Sequence, residues 1–87
     1  MPSPRVVMYS TSWCPYCAGA RSLLAEKGVA FEEIDIDAAP QARAEMMQKS
    51  GRGTVPQIFI GETHVGGCEE LYALESAGSL DSMLTGA

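Results

Sequence analysis

The chain has 87 residues, a hydrophobic content of 46% and a formal net charge of −5 at pH 7. That length predicts one small domain over residues 1–87, and the composition is that of an ordinary folded protein. Acidic and basic residues are interspersed, which argues against nucleic-acid binding because such binding usually needs a basic patch. No apolar run approaches the roughly 18 residues of a membrane span, and the N-terminus lacks the apolar core of a signal peptide. With only three cysteines, we expect a cytoplasmic protein that binds neither nucleic acid nor membranes.

The first half of the chain predicts a strand, a helix and a second strand. The apolar, β-branched run RVVMY, residues 5–9, indicates a strand that is buried on both faces. A turn with two cysteines follows, and AGARSLLAEKG then has helical spacing and a stop signal at Gly28. The segment AFEEIDID indicates a second strand, whose apolar side chains are Phe31, Ile34 and Ile36.

The second half predicts a helix, a hairpin and two more helices. The segment APQARAEMMQKSG is helical, with Pro40 in its first turn, Gly51 after its end and an ion pair between Glu45 and Lys49. The strand VPQIFI and the short strand in GETHV form a hairpin. A turn then leads into the helix of GGCEELYALESAG, and SLDSMLTGA forms a short final helix. The helical side chains expected to face the core are Ala42, Met46, Met47, Leu71 and Leu74.

This order of elements predicts an α/β domain with a mixed four-stranded sheet and helices on both faces. The first two strands must be parallel, because the first helix connects them with a right-handed crossover. The hairpin must be antiparallel within itself. A Cys-x-x-Cys motif at the end of the first strand of such a unit is typical of a thioredoxin-like redox site.

The cysteine pair in TSWCPYCAGA has three possible uses. A disulfide between Cys14 and Cys17 closes too small a ring to stabilise the fold much. A zinc site could be completed by His64 and Cys68, but the pair lies on a strand-to-helix turn rather than in a zinc knuckle. Redox chemistry accounts for more of the surrounding residues, including Pro15 between the cysteines.

Pro15 makes the two thiols unequal. Proline is favoured at the first position of a helix, so Cys14 is expected at the helix cap, exposed and beside unpaired backbone N–H groups that favour its thiolate. Cys17 lies one turn further along, is expected to be less exposed and to have a more ordinary pKa, and resolves a mixed disulfide on Cys14. Tyr16 is expected to wall one side of the sulfur, and Trp13 either flanks the site or covers the sheet edge.

Three motifs together, CPYC, TVPQIFI and GGCEELYALE, resemble those of the class I (dithiol) glutaredoxins, especially the short bacterial ones. The resemblance extends over nearly the whole chain. It implies a thioredoxin fold and glutathione-dependent reduction of disulfides. It also implies that Cys14 is the catalytic nucleophile and that Cys17 resolves protein disulfides.

The resemblance further implies a glutathione site built from the other two motifs. Thr54, Val55 and Pro56 resemble the TVP loop, whose cis proline leaves the Val55 backbone free to pair with glutathione as an added strand. Gly66 and Gly67 permit a tight turn and a close approach of the backbone. The helix that follows offers the backbone N–H groups of Cys68 and Glu69 to the γ-glutamyl carboxylate, and the Glu69 side chain to the γ-glutamyl amine. Glu70 is expected only to complement the helix dipole.

Two positions depart from the family pattern. Many relatives have a lysine where this chain has Thr11, and Arg52 is the best substitute for that cation. The start of the motif, TSWC, also resembles the mycoredoxins, which use another thiol, whereas GGCEE favours glutathione. Cys68 is either a small residue at a helix start or a third thiol open to glutathionylation or an intermolecular disulfide.

The leading hypothesis is therefore a glutathione:disulfide oxidoreductase (thioltransferase), with glutathione as co-substrate and no metal. Its partners are expected to be disulfide-containing or glutathionylated proteins, and acceptors such as ribonucleotide reductase, with the protein acting as a monomer. One alternative is a dimer that binds an iron–sulfur cluster, which Pro15 disfavours. Another is a redoxin reduced by thioredoxin reductase, which the expected glutathione site disfavours.

Overall fold

The computed structural model describes residues 4–85. Its elements in chain order are β1 (Val6–Ser10), α1 (Pro15–Glu26), β2 (Glu32–Asp35), α2 (Pro40–Ser50), β3 (Gln57–Ile60), β4 (Thr63–Gly66), α3 (Cys68–Ser76) and α4 (Leu80–Thr85). Within residues 4–85, no helix has both the length and the apolar character needed to cross a membrane.

The four strands form one mixed sheet in the order β2-β1-β3-β4. β1 pairs with β2 in parallel and with β3 in antiparallel orientation, and β3 and β4 form an antiparallel hairpin. The predicted topology is therefore confirmed. β1 is central, as its nearly continuous apolar sequence requires, because both of its faces are covered by helices.

Each face of the sheet has its own apolar core. α1, α3 and α4 cover one face, and the core there consists of Val6, Met8, Ala20, Leu23, Leu24, Ile58, Ile60, Leu71, Leu80 and Leu84. α2 covers the other face, where the smaller core consists of Tyr9, Ile36, Ala42 and Met46. Alternate residues of β1 supply both cores, because successive side chains of a strand point to opposite faces.

The structure corrects one predicted core position and the bounds of three strands, since β2 and β3 are shorter than the predicted segments AFEEIDID and VPQIFI. Met47 is 50% exposed, whereas its neighbour Met46 is fully buried. Successive helical residues differ by about 100° around the axis, so the narrow contact of α2 with the sheet admits only one of the two. β1 begins one residue later than predicted and extends to Ser10. The predicted pair of Glu45 and Lys49 is confirmed, with 2.9 Å between Oε1 and Nζ.

The sheet brings three chain segments together at one end of its strands. Tyr9, near the end of β1, lies opposite Gln57, the first residue of β3, because these strands are antiparallel. Ile58 lies opposite Gly66, the last residue of β4. The turn after β1, the loop before β3 and the start of α3 therefore meet at this end of the sheet. These three segments contain the three sequence motifs.

Candidate active site

The first cysteine is the N-cap of α1. Cys14 has extended backbone angles, Pro15 is the first helical residue, and the amide of Ala18 donates to the Cys14 carbonyl at 3.1 Å. This geometry was predicted from the proline. The predicted exposure was wrong, because Cys14 is only 8% exposed. A neighbouring loop lies against its sulfur.

That covering loop is the segment before β3. The Cys14 Sγ lies 3.9 Å from the carbonyl oxygen of Val55. The Val55–Pro56 peptide bond is cis in the structure, as the resemblance implied. The cysteine turn and the TVP loop therefore form one continuous surface.

The second cysteine differs from the first in its environment. Cys17 is completely buried. Burial raises its pKa to about 11, and interaction with Cys14 adds to this, whereas the backbone N–H of Thr11 and the Arg21 guanidinium act in the opposite direction. The pKa of Cys17 thus lies above the ordinary value that we expected. At neutral pH Cys17 is a thiol, which makes it unsuitable as the first nucleophile.

All eight residues predicted to contact glutathione line one groove. They are Tyr16, Arg52, Thr54, Val55, Pro56, Gly67, Cys68 and Glu69, and the groove is completed by Gln57 and Glu70. The cysteine turn, the TVP loop and the start of α3 each contribute to its walls. The ligand of this groove remains a prediction.

The two glycines before α3 let this helix approach the TVP loop closely. Gly66 has a φ of 115°, a conformation that favours glycine. A Cβ atom at Gly67 would lie 3.4 Å from the Pro56 carbonyl oxygen. The first turn of α3, with its unpaired backbone N–H groups, is thereby held against the groove.

Glu70 does more than the helix-dipole role that we expected. Its Oε1 accepts from the Gly67 amide at 2.7 Å and from the Arg52 guanidinium at 2.9 Å. The hydrogen bond to Gly67 and the bond to Arg52 hold the pKa of Glu70 below its ordinary value. Glu70 thus fixes Arg52 at the rim of the groove. This role has a local signal, since an acid at the third helical position commonly bonds back to the cap residue.

The third cysteine is the first residue of α3 and packs toward α1. A Cβ atom at Gly19 would lie 3.2 Å from the Cys68 Sγ. Burial raises the pKa of Cys68, and the negative charges of Cys14 and Glu70 raise it further. Cys68 is therefore a poor competitor for Cys14 as a nucleophile at neutral pH.

The residues that precede the cysteine pair separate into buried and exposed ones. Thr11, which occupies the family's lysine position, is buried and does not line the groove. Trp13 is 72% exposed, and its indole N–H donates to Asp37 at 2.9 Å. The Trp13 indole is therefore held toward the loop that follows the edge strand β2, and it does not line the groove. Tyr16 is also largely exposed, at the rim of the groove.

Gln57 is a residue of the site that the sequence analysis missed. It is buried at the start of β3, and its amide nitrogen donates to the Thr54 carbonyl at 3.0 Å. Its amide oxygen is 2.7 Å from His64 Nε2. The signal was available, because a polar residue inside an apolar strand needs a buried partner.

The zinc alternative has no support in the geometry. The His64 ring is engaged by Gln57 and lies 4.9 Å from the ring of Phe59. Within residues 4–85, no three His, Cys, Asp or Glu side chains converge closely enough to hold a metal ion.

The glutaredoxin family profile matches residues 6–65, which include the cysteine turn and the TVP loop. The chain belongs to the glutaredoxin family. It is 60% identical over 82 residues to a glutaredoxin of Pseudomonas aeruginosa, a match that covers 94% of this chain and 98% of that protein. Membership of the glutaredoxin family supports thiol–disulfide oxidoreductase activity and agrees with dependence on glutathione.

Solved structures confirm the fold. The solution structure of a glutaredoxin from Brucella melitensis is 58% identical, with a TM-score of 0.84, and covers 95% of this chain and 90% of its own. A buckwheat glutaredoxin, solved as a complex with glutathione, is 32% identical, with a TM-score of 0.87, and the match covers 97% of this chain and 78% of its own. The thioredoxin fold predicted from the sequence is therefore established for this glutaredoxin.

Proposed function

We propose that this glutaredoxin is a glutathione-dependent thioltransferase in which Cys14 is the nucleophile and Cys17 the resolving thiol. The observation that carries the proposal is the contact of the Cys14 Sγ with the Val55 carbonyl at 3.9 Å. This contact joins the sulfur to the groove that leads to the first turn of α3. A peptide bound along that groove would present its own sulfur to Cys14.

The chemistry of the groove fits the tripeptide glutathione. Its backbone can pair with the exposed backbone of Val55, as a strand added to an edge. Its γ-glutamyl carboxylate suits the N–H groups of Cys68 and Glu69 at the start of α3, and its amine suits the Glu69 carboxylate. Arg52 supplies a cation for the glycine carboxylate in place of the family's lysine. The glutathione complex of the related buckwheat glutaredoxin supports the same ligand here.

Reduction of a glutathionylated protein then needs Cys14 alone. The Cys14 thiolate attacks the glutathione sulfur, a disulfide forms between them, and the electron pair of the broken bond leaves on the protein's sulfur. A second glutathione thiolate attacks the bound glutathione sulfur, releases oxidised glutathione and restores the Cys14 thiolate. Protein disulfides need Cys17 as well, because Cys17 must displace the second half of the substrate from Cys14.

We infer from this chemistry that the partners are glutathionylated and disulfide-containing proteins, including acceptors of the ribonucleotide reductase type. The reaction needs no metal ion and no second subunit, so we expect a monomer. Trp13 and Tyr16 are exposed beside the nucleophile and offer aromatic contacts to such proteins.

A deglutathionylation assay coupled to glutathione reductase tests the proposal. Cys14→Ser should abolish turnover, whereas Cys17→Ser should keep substantial activity on a glutathionylated protein and lose activity on a protein disulfide. Cys68→Ser is the matched control and should resemble the wild type, because the Cys68 sulfur takes part in neither reaction and serine keeps the backbone N–H that the site uses. Turnover with thioredoxin reductase but not with glutathione would refute the proposal, and a coloured, cluster-containing dimer after anaerobic purification would favour the iron–sulfur alternative.

The glutathione site is tested separately by Glu69→Gln. Loss of one partly exposed ion pair of roughly 0.2–1 kcal/mol should raise KM for glutathione about 1.4- to fivefold with little change in kcat. Glu62→Gln is the matched control, because Glu62 is an exposed acid in the β3–β4 turn, away from the groove. Equal KM values for Glu69→Gln and Glu62→Gln would remove Glu69 from the proposed site.

A further inference from the structure

A half-buried charged cluster lies between α1 and the edge strand β2. Glu33 on β2 points to the same face as Phe31, which packs against the larger core. The Nε of Arg21 donates to both carboxylate oxygens of Glu33, at 2.9 and 3.1 Å, and the hydroxyl of the buried Ser10 donates to Glu33 at 2.7 Å. Glu33 therefore holds the Arg21 guanidinium, and Ser10 of β1 holds Glu33.

The cluster lies beside the resolving cysteine. Cys17 and Arg21 are four residues apart on α1 and share one helix face. Three neighbouring groups act on the buried Cys17 sulfur, namely the backbone N–H of Thr11, the Cys14 thiol and Arg21. Burial and Cys14 raise the pKa of Cys17, whereas Thr11 and Arg21 lower it.

The balance between these groups changes when Cys14 becomes part of a disulfide. Cys14 then has no charge and no thiol proton, so its opposition to ionisation of Cys17 disappears. The Thr11 amide and the Arg21 cation remain. The environment of Cys17 therefore favours its ionisation most in the mixed disulfide, which is the state that Cys17 has to attack.

We propose that Arg21, held by Glu33 and Ser10, is a positioning residue that promotes ionisation of Cys17 and thereby sets the rate of the resolving step. The inference rests on the proposed function of Cys17. In that step the Cys17 thiolate attacks the Cys14 sulfur, a Cys14–Cys17 disulfide forms, and the electron pair of the broken bond leaves on the substrate sulfur, which then takes a proton from water. Two glutathione thiols subsequently reduce the new disulfide and become oxidised glutathione.

A purely structural role for the Arg21–Glu33 ion pair makes different predictions. β2 is an edge strand, and an inward-pointing charge can protect such a strand from pairing with another chain. The pair also ties α1 to this edge. Loss of these functions would change the free energy of unfolding or cause aggregation, but it would not change the pH dependence of a reaction at Cys17.

The resolving step can be observed without glutathione by mixing the reduced protein with an aromatic disulfide that releases a coloured thiol. Attack by Cys14 releases the first equivalent, and resolution by Cys17 releases the second. The variants are made in a Cys68→Ser background to remove the third thiol. Because glutathione is absent, failure of this inference is distinguishable from failure of the proposed function.

Arg21→Gln should slow the second phase about three- to fourfold at neutral pH. Loss of a nearby cation raises a thiol pKa by about one, which reduces the thiolate fraction about tenfold. The thiolate that remains is about threefold more nucleophilic, which offsets part of that loss. The pH midpoint of the second phase should also move up by about one, while the first phase stays within about twofold of the wild type.

Two further variants test whether charge is the cause. Arg21→Lys should keep most of the wild-type rate, because it retains the cation. Arg5→Gln is the matched control: Arg5 also pairs with a glutamate of β2, Glu32, but at the far end of β1. An unchanged second phase in Arg21→Gln, or an Arg21→Lys variant as slow as Arg21→Gln, would overturn the inference.

Discussion

The sulfur of Cys14 lies 3.9 Å from the carbonyl oxygen of Val55, although 41 positions in the chain separate these two residues. The contact has two consequences. It contributes to the burial of a side chain that stands at the start of a helix. It also places the nucleophile at the end of a groove whose other walls come from the start of α3.

The two cysteines of the motif should differ sharply in their reaction with iodoacetamide. Burial raises the pKa of Cys17 to about 11, so its thiolate fraction near neutral pH is roughly one in ten thousand. Cys17 in the reduced, folded protein should therefore be alkylated at least about tenfold more slowly than Cys14. Its rate should rise with pH up to about 11. Mass spectrometry of digested samples measures both rates, and equal rates near neutral pH would contradict the asymmetry.

Adjacent methionines of α2 should differ in their contribution to stability. Met46→Ala should lower the free energy of unfolding by about 2–5 kcal/mol, because it leaves a cavity in the smaller core. Met47→Ala should cost less than about 1 kcal/mol, because the Met47 side chain is half exposed. Urea denaturation of the two variants provides the comparison. Similar losses would mean that Met47 contributes to the core after all.

Removal of the Glu70 carboxylate should destabilise the start of α3. Glu70→Ala removes the acceptor for the Gly67 amide and should lower the free energy of unfolding by about 1 kcal/mol. Glu69→Ala is the matched control, because Glu69 is also an acid in the first turn but makes no such bond to Gly67.

The effect of Glu70→Ala should also depend on pH in a defined direction. The pKa of Glu70 is lowered in the folded protein, first by the Gly67 amide and then by Arg52. The stabilisation is therefore complete above the pKa of the unfolded chain, about 4.3, and is lost as the pH falls through the lower folded value. The stability difference between wild type and Glu70→Ala should shrink in acid. A difference that grows as the pH falls would contradict this account.

Gly66→Ala should lower the free energy of unfolding more than the same change at another glycine with positive φ. Gly66 and Gly78 have φ values of 115° and 76°. An added Cβ at Gly78 meets open space, so that variant reports backbone strain of about 1 kcal/mol. An added Cβ at Gly66 would collide with the Glu70 carboxylate and displace it from Gly67, which adds to the strain. Equal losses of unfolding free energy in the two variants would show that the collision is relieved at no cost.

The order and type of the elements could be predicted from the amino-acid sequence, because the signals for these are local. Apolar periodicity marked β1 and α1, Pro15 and Pro40 marked helix starts, and Gly51 marked a helix end. The inequality of Cys14 and Cys17 also followed from their positions relative to Pro15. The three motifs were sufficient to indicate the family, and they contain seven of the eight predicted residues that line the groove, whereas Arg52 lies outside them.

The contacts between elements could not be predicted in this way. The near-burial of Cys14, the link from Arg52 through Glu70 to Gly67, and the anchoring of Arg21 by Glu33 all join segments distant in sequence. Met47 was misjudged for a related reason, since helical spacing does not specify how wide the contact with the sheet is. The local sequence pattern indicates which element each segment can form. The exposure, pairing and pKa of a side chain depend on which other segments pack against its own segment.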